Sequence, residues 1–184
     1  MKLRKDEKGF TLIELLIALV ITGLIVAAAT GTIFQIFQST SASADMLAIR
    51  QVQTAGYWVS KDALQAQNIT TSGNATGGNG FPLNLTWTDW DDKFHQIDYY
   101  LYKISNSTDL RQLWRQEQVT GTLPATIMVA QYIDPAPTKT NCAPLNKTLA
   151  HNETLTFTVT ASVKGARGTQ TETRTYEIKP RPSS

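Results

Sequence analysis

A run of apolar residues from Phe10 to Phe37 constrains this chain more than any other feature. The run is interrupted mainly by Glu14, Thr22 and a short Thr/Gly patch at 30–32. A helix needs about 20 apolar residues to cross the hydrocarbon core of a bilayer. The sequence therefore predicts a helix that is long enough to span a membrane and to continue beyond it.

The residues before the run predict its orientation. Basic residues outnumber acidic ones there: Lys2, Arg4, Lys5 and Lys8 against Asp6 and Glu7. An excess of Lys and Arg beside a span is retained in the cytoplasm. We therefore expect a single pass through the cytoplasmic (inner) membrane, with a cytoplasmic leader at 1–9, a transmembrane helix at 10–38 and a globular domain at 39–184 that is periplasmic or extracellular.

Glu14 distinguishes this run from three simpler segments. A secretory signal peptide also has a basic start and an apolar stretch, and 27–29 would supply small residues for its cleavage. A plain single-pass anchor and a buried core helix are the other two alternatives. An ionised carboxylate near the start of a span is costly unless it is paired, so it marks a functional contact. Neither a signal peptide nor a simple anchor has a use for Glu14.

The segment KGFTLIELLIALVITGLI, from Lys8 to Ile25, closely resembles the leader junction of type IV prepilins and of the pseudopilins of type II secretion. The likeness rests on Gly9, Phe10 and Glu14, together with the Thr-Leu pair between them. It implies that prepilin peptidase cuts between Gly9 and Phe10 and methylates the new amine of Phe10. It also implies that Glu14 and Phe10 take part in docking between subunits, so that 10–38 becomes the core helix of a filament.

Beyond Ser39 the chain turns polar but keeps a helical period. One apolar stripe recurs at three and four residues: Met46, Ile49, Val52, Gly56, Val59, Ala63 and Ala66. Such a stripe can lie on a sheet. We place Arg50, Lys61 and Asp62 on the opposite face and predict one long helix from Phe10 to about Gln67.

After the helix the pattern becomes that of strands. The Gly- and Asn-rich stretch 68–80 predicts a loop. Strands are predicted at 83–87 and 94–104, which form a hairpin around the turn DWDDK, and further strands at 110–118 and 127–133. The segment 155–163 alternates strictly between apolar residues and Thr or Ser, which is typical of a half-buried strand.

A final hairpin follows. Residues 165–168 are predicted to turn the chain back into a strand at 169–179, and the terminal PRPSS is predicted to be a loose tail. The fold class is then α+β, with a long N-terminal helix packed on an antiparallel β-sheet, as in pilins. The order of elements, and the segments LNLTWTDWDDKFHQIDYYLYKI and RTYEIKPR, resemble the J-type minor pseudopilins and the W-type minor pilins.

Other candidate sites give weaker signals. Asp89, Asp91 and Asp92 could offer oxygen ligands to calcium, but they lack the glycine and the glutamate of a calcium loop, so we interpret them as a turn. His95 and His151 have no catalytic serine or cysteine beside them in the sequence. The single cysteine, Cys142, excludes an intramolecular disulfide. We expect no metal, no cofactor and no catalytic residue.

Aromatic residues are frequent in the predicted strands: Trp87, Trp90, Tyr99, Tyr100, Tyr102 and Trp114. They could stack on sugar or single-stranded nucleic acid, but packing within the sheet is the favoured interpretation. Six basic residues could bind DNA, although they are dispersed along the sequence: Arg111, Arg115, Arg167, Arg174, Lys179 and Arg181. The formal charge of +2 is far from the concentrated positive field that nucleic-acid binding needs, so we do not expect that partner.

The functional hypothesis is a structural, non-enzymatic minor pseudopilin or minor pilin that primes assembly of a filament. The resemblance implies four partners: prepilin peptidase, other pilins or pseudopilins, an inner-membrane assembly platform and the lipid bilayer. Two alternatives stay open. One is a subunit of a DNA-uptake (competence) filament, and the other is a membrane-anchored extracellular binding protein.

Overall fold

The computed structural model describes residues 11–72, 80–104, 109–149 and 153–180. Helix α1 comprises Leu12–Gln65, a continuous 54-residue helix. It ends where Ala66 takes an extended conformation, with φ −65° and ψ 133°. The long helix predicted from Phe10 to about Gln67 is thus confirmed over the described residues, whereas Gly9, Phe10 and the tail at 181–184 lie outside them.

The described residues form nine strands in one antiparallel, curled sheet. The strands are β1 (Asn68–Ser72), β2 (Gly80–Thr88), β3 (Phe94–Lys103), β4 (Arg111–Val119), β5 (Ala125–Ile133), β6 (Asn141–Ala143), β7 (Lys147–Thr148), β8 (Leu155–Gly165) and β9 (Gly168–Ile178). Their order is β6-β8-β5-β4-β3-β2-β1-β7, and β9 pairs with β8. The predicted α+β class, a long helix packed on an antiparallel sheet, is confirmed.

The two predicted hairpins are present. Strands β2 and β3 pair in a register that sets Leu83 opposite Tyr99 and Leu85 opposite Ile97. Strands β8 and β9 pair along their whole length, from Leu155 opposite Ile178 to Gly165 opposite Gly168. These hairpins were predictable because the alternation of side chains and the turn residues are both local signals.

The loop predicted at 68–80 is wrong in its first part, because β1 occupies Asn68–Ser72. Ile69 is buried there and lies opposite Leu85 of β2. Pairing with β2 on one side and β7 on the other turns this Asn- and Thr-rich segment into a strand. Residues 73–79 lie outside the described part.

The half-buried alternation predicted for β8 holds at its start, where Phe157 is buried and Thr158 is partly exposed. It fails further on, since Thr160 and Ser162 are also buried. The segment before β6 covers this face: the Thr160 amide donates to Thr140 Oγ1 at 3.1 Å and the Thr160 hydroxyl donates to the Lys139 carbonyl at 2.7 Å. Hydrogen bonding lets these polar side chains be buried at little cost.

The second half of α1 packs against β5, β8 and β9. Its buried residues are Ala44, Ala48, Val52, Ala55, Gly56, Val59, Asp62 and Ala63. The predicted stripe is therefore right in its later part and wrong at its start, because Met46 is 59% exposed and Ala44 and Ala48 face the sheet instead. The small side chains let the helix approach the sheet closely. A Cβ on Gly56 would lie 2.0 Å from Tyr176 Cζ.

Candidate assembly surface

The first turn of α1 is closed by a capping box between Thr11 and Glu14. The Thr11 amide donates to Glu14 Oε2 at 2.9 Å, and the Thr11 hydroxyl donates to the same oxygen at 2.8 Å. The Glu14 amide donates to Thr11 Oγ1 at 3.4 Å. This arrangement satisfies free donors of the helix start and places a carboxylate at the positive end of the helix dipole.

The first half of α1 is exposed along its whole length. Every described residue from 11 to 40 is exposed, and the large apolar side chains range from 48% exposed at Phe37 to 83% at Leu12. The most apolar 18-residue window of α1 has a mean hydropathy of 2.7, so the helix is long and apolar enough to cross a membrane. An apolar surface of this size is stable only when lipid or other helices cover it.

The threonine hydroxyls within this half are satisfied by the helix itself. The hydroxyls of Thr22, Thr30 and Thr32 donate to the carbonyls of Ala18, Val26 and Ala28 at 2.8–3.0 Å. Such bonds to the preceding turn remove the cost of placing a hydroxyl in lipid. Apart from Glu14, no charged side chain occurs between 12 and 44, which suits an apolar environment.

Two glycines interrupt the exposed half without any role inside the single chain. A Cβ on Gly23 or on Gly31 would meet nothing within 4 Å in the described residues. The contrast with Gly56, which makes room for Tyr176, is direct. If Gly23 and Gly31 serve close packing, their partners belong to another molecule.

At the other end of the helix, a buried ion pair joins α1 to the sheet. Arg115 Nε donates to Asp62 Oδ2 at 2.6 Å, and Tyr99 donates its hydroxyl to the same oxygen at 2.5 Å. Arg115 Nη1 donates to Glu117 Oε2 at 2.8 Å. Asp62 is 2% exposed and Arg115 is 7% exposed. The network anchors the last turns of α1 to β3 and β4.

Burial and charge act together on the groups around Asp62. Burial raises the pKa of the Tyr99 hydroxyl, and the negative charge of Asp62 raises it further. Burial opposes the charge of Arg115, but hydrogen bonds to Asp62 and Glu117 outweigh burial, so the pKa of Arg115 is raised. Arg115 is therefore charged and the Tyr99 phenol is neutral throughout the physiological range.

This network overturns two sequence predictions. Asp62 was placed on the solvent face with Arg50 and Lys61, yet it is buried. Arg115 was counted among residues that could bind DNA, yet its charge is committed to Asp62 and Glu117. The signal was available: Asp62 follows Val59 by three residues, so it lies on the apolar stripe, and a charge in that position needs a buried partner.

A cleft of about 1100 Å³ opens beside this network. It lies between the end of α1, the β2–β3 turn and the start of β5, and its residues include Trp58, Lys61, Trp87, Trp90, His95 and Ile127. Trp87 stacks on His95 with 5.0 Å between ring centroids, and His95 Nε2 lies 2.7 Å from Asp89 Oδ2. Lys61 and Arg115 lie within 5.2 Å of the Trp58 ring centroid.

The predicted aromatic packing is confirmed for Trp87 and Tyr99, which are buried. It is wrong for Trp90 and Tyr102, which are 96% and 61% exposed. Trp90 projects from the β2–β3 turn at the rim of the cleft, because a turn has no neighbouring strand to cover it. The alternation of side chains along a strand does not predict the exposure of Trp90, since this residue lies outside both strands.

The acidic stretch forms the predicted turn between β2 and β3. The Asp89 amide donates to the Lys93 carbonyl at 2.9 Å, and Asp92 has a positive φ of 59°. Lys93 Nζ lies 2.6 Å from Asp91 Oδ2, and this hydrogen bond lowers the pKa of Asp91. In the described part of the chain, no group of three His, Cys, Asp or Glu side chains could hold a metal ion.

The remaining candidates add no chemistry in the described residues. Cys142 is fully buried, and burial raises the pKa of its thiol, so the nucleophilic thiolate is disfavoured. His151 lies outside the described residues, as do Gly9 and Phe10.

Comparison with known families gives one match. Residues 4–30 match the family model described as the prokaryotic N-terminal methylation motif. This motif supports a type IV pilin-like protein that is structural rather than enzymatic and is anchored in a membrane by a single helix. It implies processing by prepilin peptidase and assembly with other pilins. No curated protein and no solved structure matches the chain.

Proposed function

We propose that this type IV pilin-like chain is a minor pseudopilin or minor pilin. It is cut between Gly9 and Phe10, is methylated on Phe10, and enters a type II secretion or type IV pilus filament in which it primes assembly. The observation that carries the proposal is the contrast within α1, whose exposed apolar half continues without a break into a half that is packed on the sheet.

The proposed roles of the leader, the apolar helix and the globular domain follow from the two halves of α1. Cleavage on the cytoplasmic side of the apolar run removes the leader at 1–9 and leaves the span on the mature protein. Residues 10–38 then hold the subunit in the bilayer and later pack among other helices in the filament. Residues 39–184 form the domain outside the cytoplasm, and an inner-membrane assembly platform moves the subunit from one environment to the other.

Glu14 is proposed to pair with the Phe10 amine of a neighbouring subunit. Cleavage creates a positive amine one residue before the helix cap, where the helix dipole disfavours positive charge. Phe10 precedes Glu14 by four positions in the sequence. A carboxylate offers about four acceptor sites, so Glu14 can keep its two bonds from Thr11 and still receive an amine.

The first test is the intact mass of the protein extracted from membranes. We expect a chain that begins at Phe10 and carries one added methyl group. An unprocessed chain would contradict the proposed cleavage, and a mature chain that begins at Thr30 would establish the secretory-signal alternative.

The second test separates docking from helix capping. Glu14→Leu should insert and be cleaved as the natural chain is, since a more apolar span inserts at least as well, but its incorporation into filaments should fall sharply. Thr11→Val is the matched control, because it removes the side-chain half of the capping box and keeps the carboxylate. Incorporation is measured by crosslinking and co-purification with partner pilins. Equal loss in both variants, or no loss in Glu14→Leu, would contradict docking through Glu14.

One observation favours a second candidate, a membrane-anchored extracellular binding protein. The cleft of about 1100 Å³ has the fully accessible ring of Trp90 at its rim, and exposed aromatic residues are common anchors at binding surfaces. Trp90→Ala should leave incorporation into filaments unchanged if the cleft serves a ligand.

The third hypothesis is a subunit of a DNA-uptake filament. Two of its candidate DNA-binding residues, Arg115 and Arg174, are paired with acidic residues, so the structure supports this hypothesis less than the sequence does.

A further inference from the structure

The turn between β8 and β9 reaches the helix where its exposed half ends. A Cβ on Gly165 would lie 3.2 Å from Ala44 Cβ and 3.4 Å from Ser41 Cα, so the turn lies close against α1. Two residues further along the turn, the Arg167 guanidinium lies 5.0 Å from the centroid of the Phe34 ring. The turn of the globular domain thus reaches down to Phe34 in the apolar half of the helix.

The length of the helix places this contact at the membrane surface. The 22 steps along the helix from Leu12 to Phe34 rise about 33 Å at 1.5 Å each, against a hydrocarbon core about 30 Å thick. With Leu12 at one boundary of the core, Phe34 lies at the other. The polar residues that begin at Ser39 would then lie beyond the core, and the turn would lie level with the lipid headgroups.

The chemistry of the turn fits that layer. Lys164, Ala166 and Arg167 are exposed, and neither basic residue forms a salt bridge in the described part of the chain. The elements that meet here carry five acidic residues: Glu14, Asp45 and Asp62 on α1, and Glu172 and Glu177 on β9. Asp62 is paired with Arg115, and Glu172 is paired with Arg174. Two cations therefore face the headgroup layer from a turn whose backbone is held against the helix.

We propose that the turn Lys164–Gly168 binds anionic phospholipid headgroups of the leaflet beside the globular domain. Arg167 lies over Phe34 at the edge of the hydrocarbon, and Lys164 adds a second positive charge. The contact fixes the tilt of the domain before assembly and must be released when the subunit leaves the bilayer. This inference rests on the proposed membrane anchoring.

The test uses the full chain in lipid nanodiscs with a fluorescent label at Ala166→Cys. Cys142 is fully buried, so the native thiol is protected, and the unsubstituted chain provides the labelling blank. A matched label at Thr122→Cys reports on the β4–β5 turn. This turn precedes β5, which lines the cleft at the other end of the helix. Lipids with a nitroxide on the headgroup quench a label that lies at the membrane surface.

We expect strong quenching at Ala166→Cys and little at Thr122→Cys, with more quenching at Ala166→Cys in discs that contain phosphatidylglycerol than in discs of phosphatidylcholine alone. One basic residue at an anionic surface strengthens association about fivefold. Adding Lys164→Gln and Arg167→Gln to the Ala166→Cys chain should therefore lower the quenching in phosphatidylglycerol discs to the level seen in phosphatidylcholine discs. The charge-matched control, Lys61→Gln with Lys179→Gln, should leave this quenching unchanged, because Lys61 lies about 40 Å of helical rise beyond Phe34.

Three outcomes would overturn the proposal: equal quenching at the two labels, equal effects of the two charge pairs, or strong quenching that depends on neither anionic lipid nor the turn residues. A chain that cannot be held in nanodiscs would instead contradict the membrane anchoring itself. The failure of the inference and the failure of the proposed function are thus distinguishable.

Discussion

Residues 12–38 and residues 44–65 belong to one continuous helix, yet composition and burial are reversed between them. The first half carries most of the large apolar side chains of α1 and buries none of them within the chain. The second half buries mostly Ala, Val and Gly, together with the charged Asp62. Hydropathy therefore predicts which half needs an external partner, whereas small size and spacing predict which half packs on the sheet.

The largest effect is expected where the packed half carries its buried charge. Arg115→Met leaves Asp62 buried without its cation, and breaking a buried pair in this way costs about 3–5 kcal/mol of unfolding free energy. Chemical denaturation of the globular domain, starting at Ser39, measures the loss. The double variant Arg115→Met with Asp62→Leu should recover most of it, because no unpaired charge remains. A loss in Arg115→Met that the double variant does not reduce would contradict this account.

A smaller effect is expected where the packed half approaches the sheet. Gly56→Ala would place a Cβ 2.0 Å from Tyr176 Cζ, and the Tyr176 hydroxyl also donates to the Val52 carbonyl. We expect a loss of about 1–3 kcal/mol, typical of overpacking. Gly23→Ala is the matched change in the apolar half. In the detergent-solubilised full chain it should leave the unfolding of the globular domain unchanged, so equal losses would remove the distinction between the halves.

A pH titration sharpens the same comparison. The folded-state pKa of Tyr99 is raised above its ordinary value of about 10, so its contribution to stability is complete below pH 10 and is lost as the pH rises further. The slope from one such group is about 1.4 kcal/mol per pH unit. Burial raises the pKa of Cys142 and Tyr176 as well, so both add to the total slope.

The variant Tyr99→Phe isolates the contribution of Tyr99 to the pH dependence of the unfolding free energy. The unfolding free energy of this variant should fall less steeply above pH 10 than that of the natural domain, by about 1.4 kcal/mol per pH unit. Parallel curves would mean that the Tyr99 hydroxyl is not held neutral by burial and by Asp62.

The features that the sequence predicts well are those with a local signal. The apolar run requires a helix whatever surrounds it, and the alternation in 83–87 and 155–159 requires strands with one buried face. The turn at Asp89–Lys93 follows from its own residues in the same way. In the candidate site, the position of Glu14 in the first turn of the helix was fixed by the leader junction alone, although its pairing with a neighbour stays a prediction.

The features that the sequence does not predict depend on partners far along the chain. Asn68–Ser72 is a strand because β2 and β7 pair with it, and its composition alone is that of a loop. Asp62 is buried because Arg115 and Tyr99 come from two strands to meet it. Thr160 is buried because the segment before β6 crosses its face. Each of these depends on a pairing that only the folded sheet defines.

The smallest effect is expected at the boundary between the two halves, where the apolar half barely contributes to the stability of the domain. None of the described residues before Ala44 is buried, and the described aromatic contact across the boundary is that of Arg167 with Phe34. An exposed cation–π contact contributes about 0.5–1 kcal/mol.

Two fragments test this small contribution. The unfolding free energy of a fragment that begins at Thr32 should exceed that of a fragment that begins at Ser39 by no more than about 1 kcal/mol. The fragment that begins at Ser39 should be soluble and monomeric, since the lipid-facing residues before it are gone. Arg167→Gln in the longer fragment should abolish the difference, and the same change in the shorter fragment is its control, because Phe34 is absent there. A fragment from Ser39 that aggregates or unfolds without cooperativity would mean that the domain needs the apolar half to fold, and the boundary at 38 would have to move.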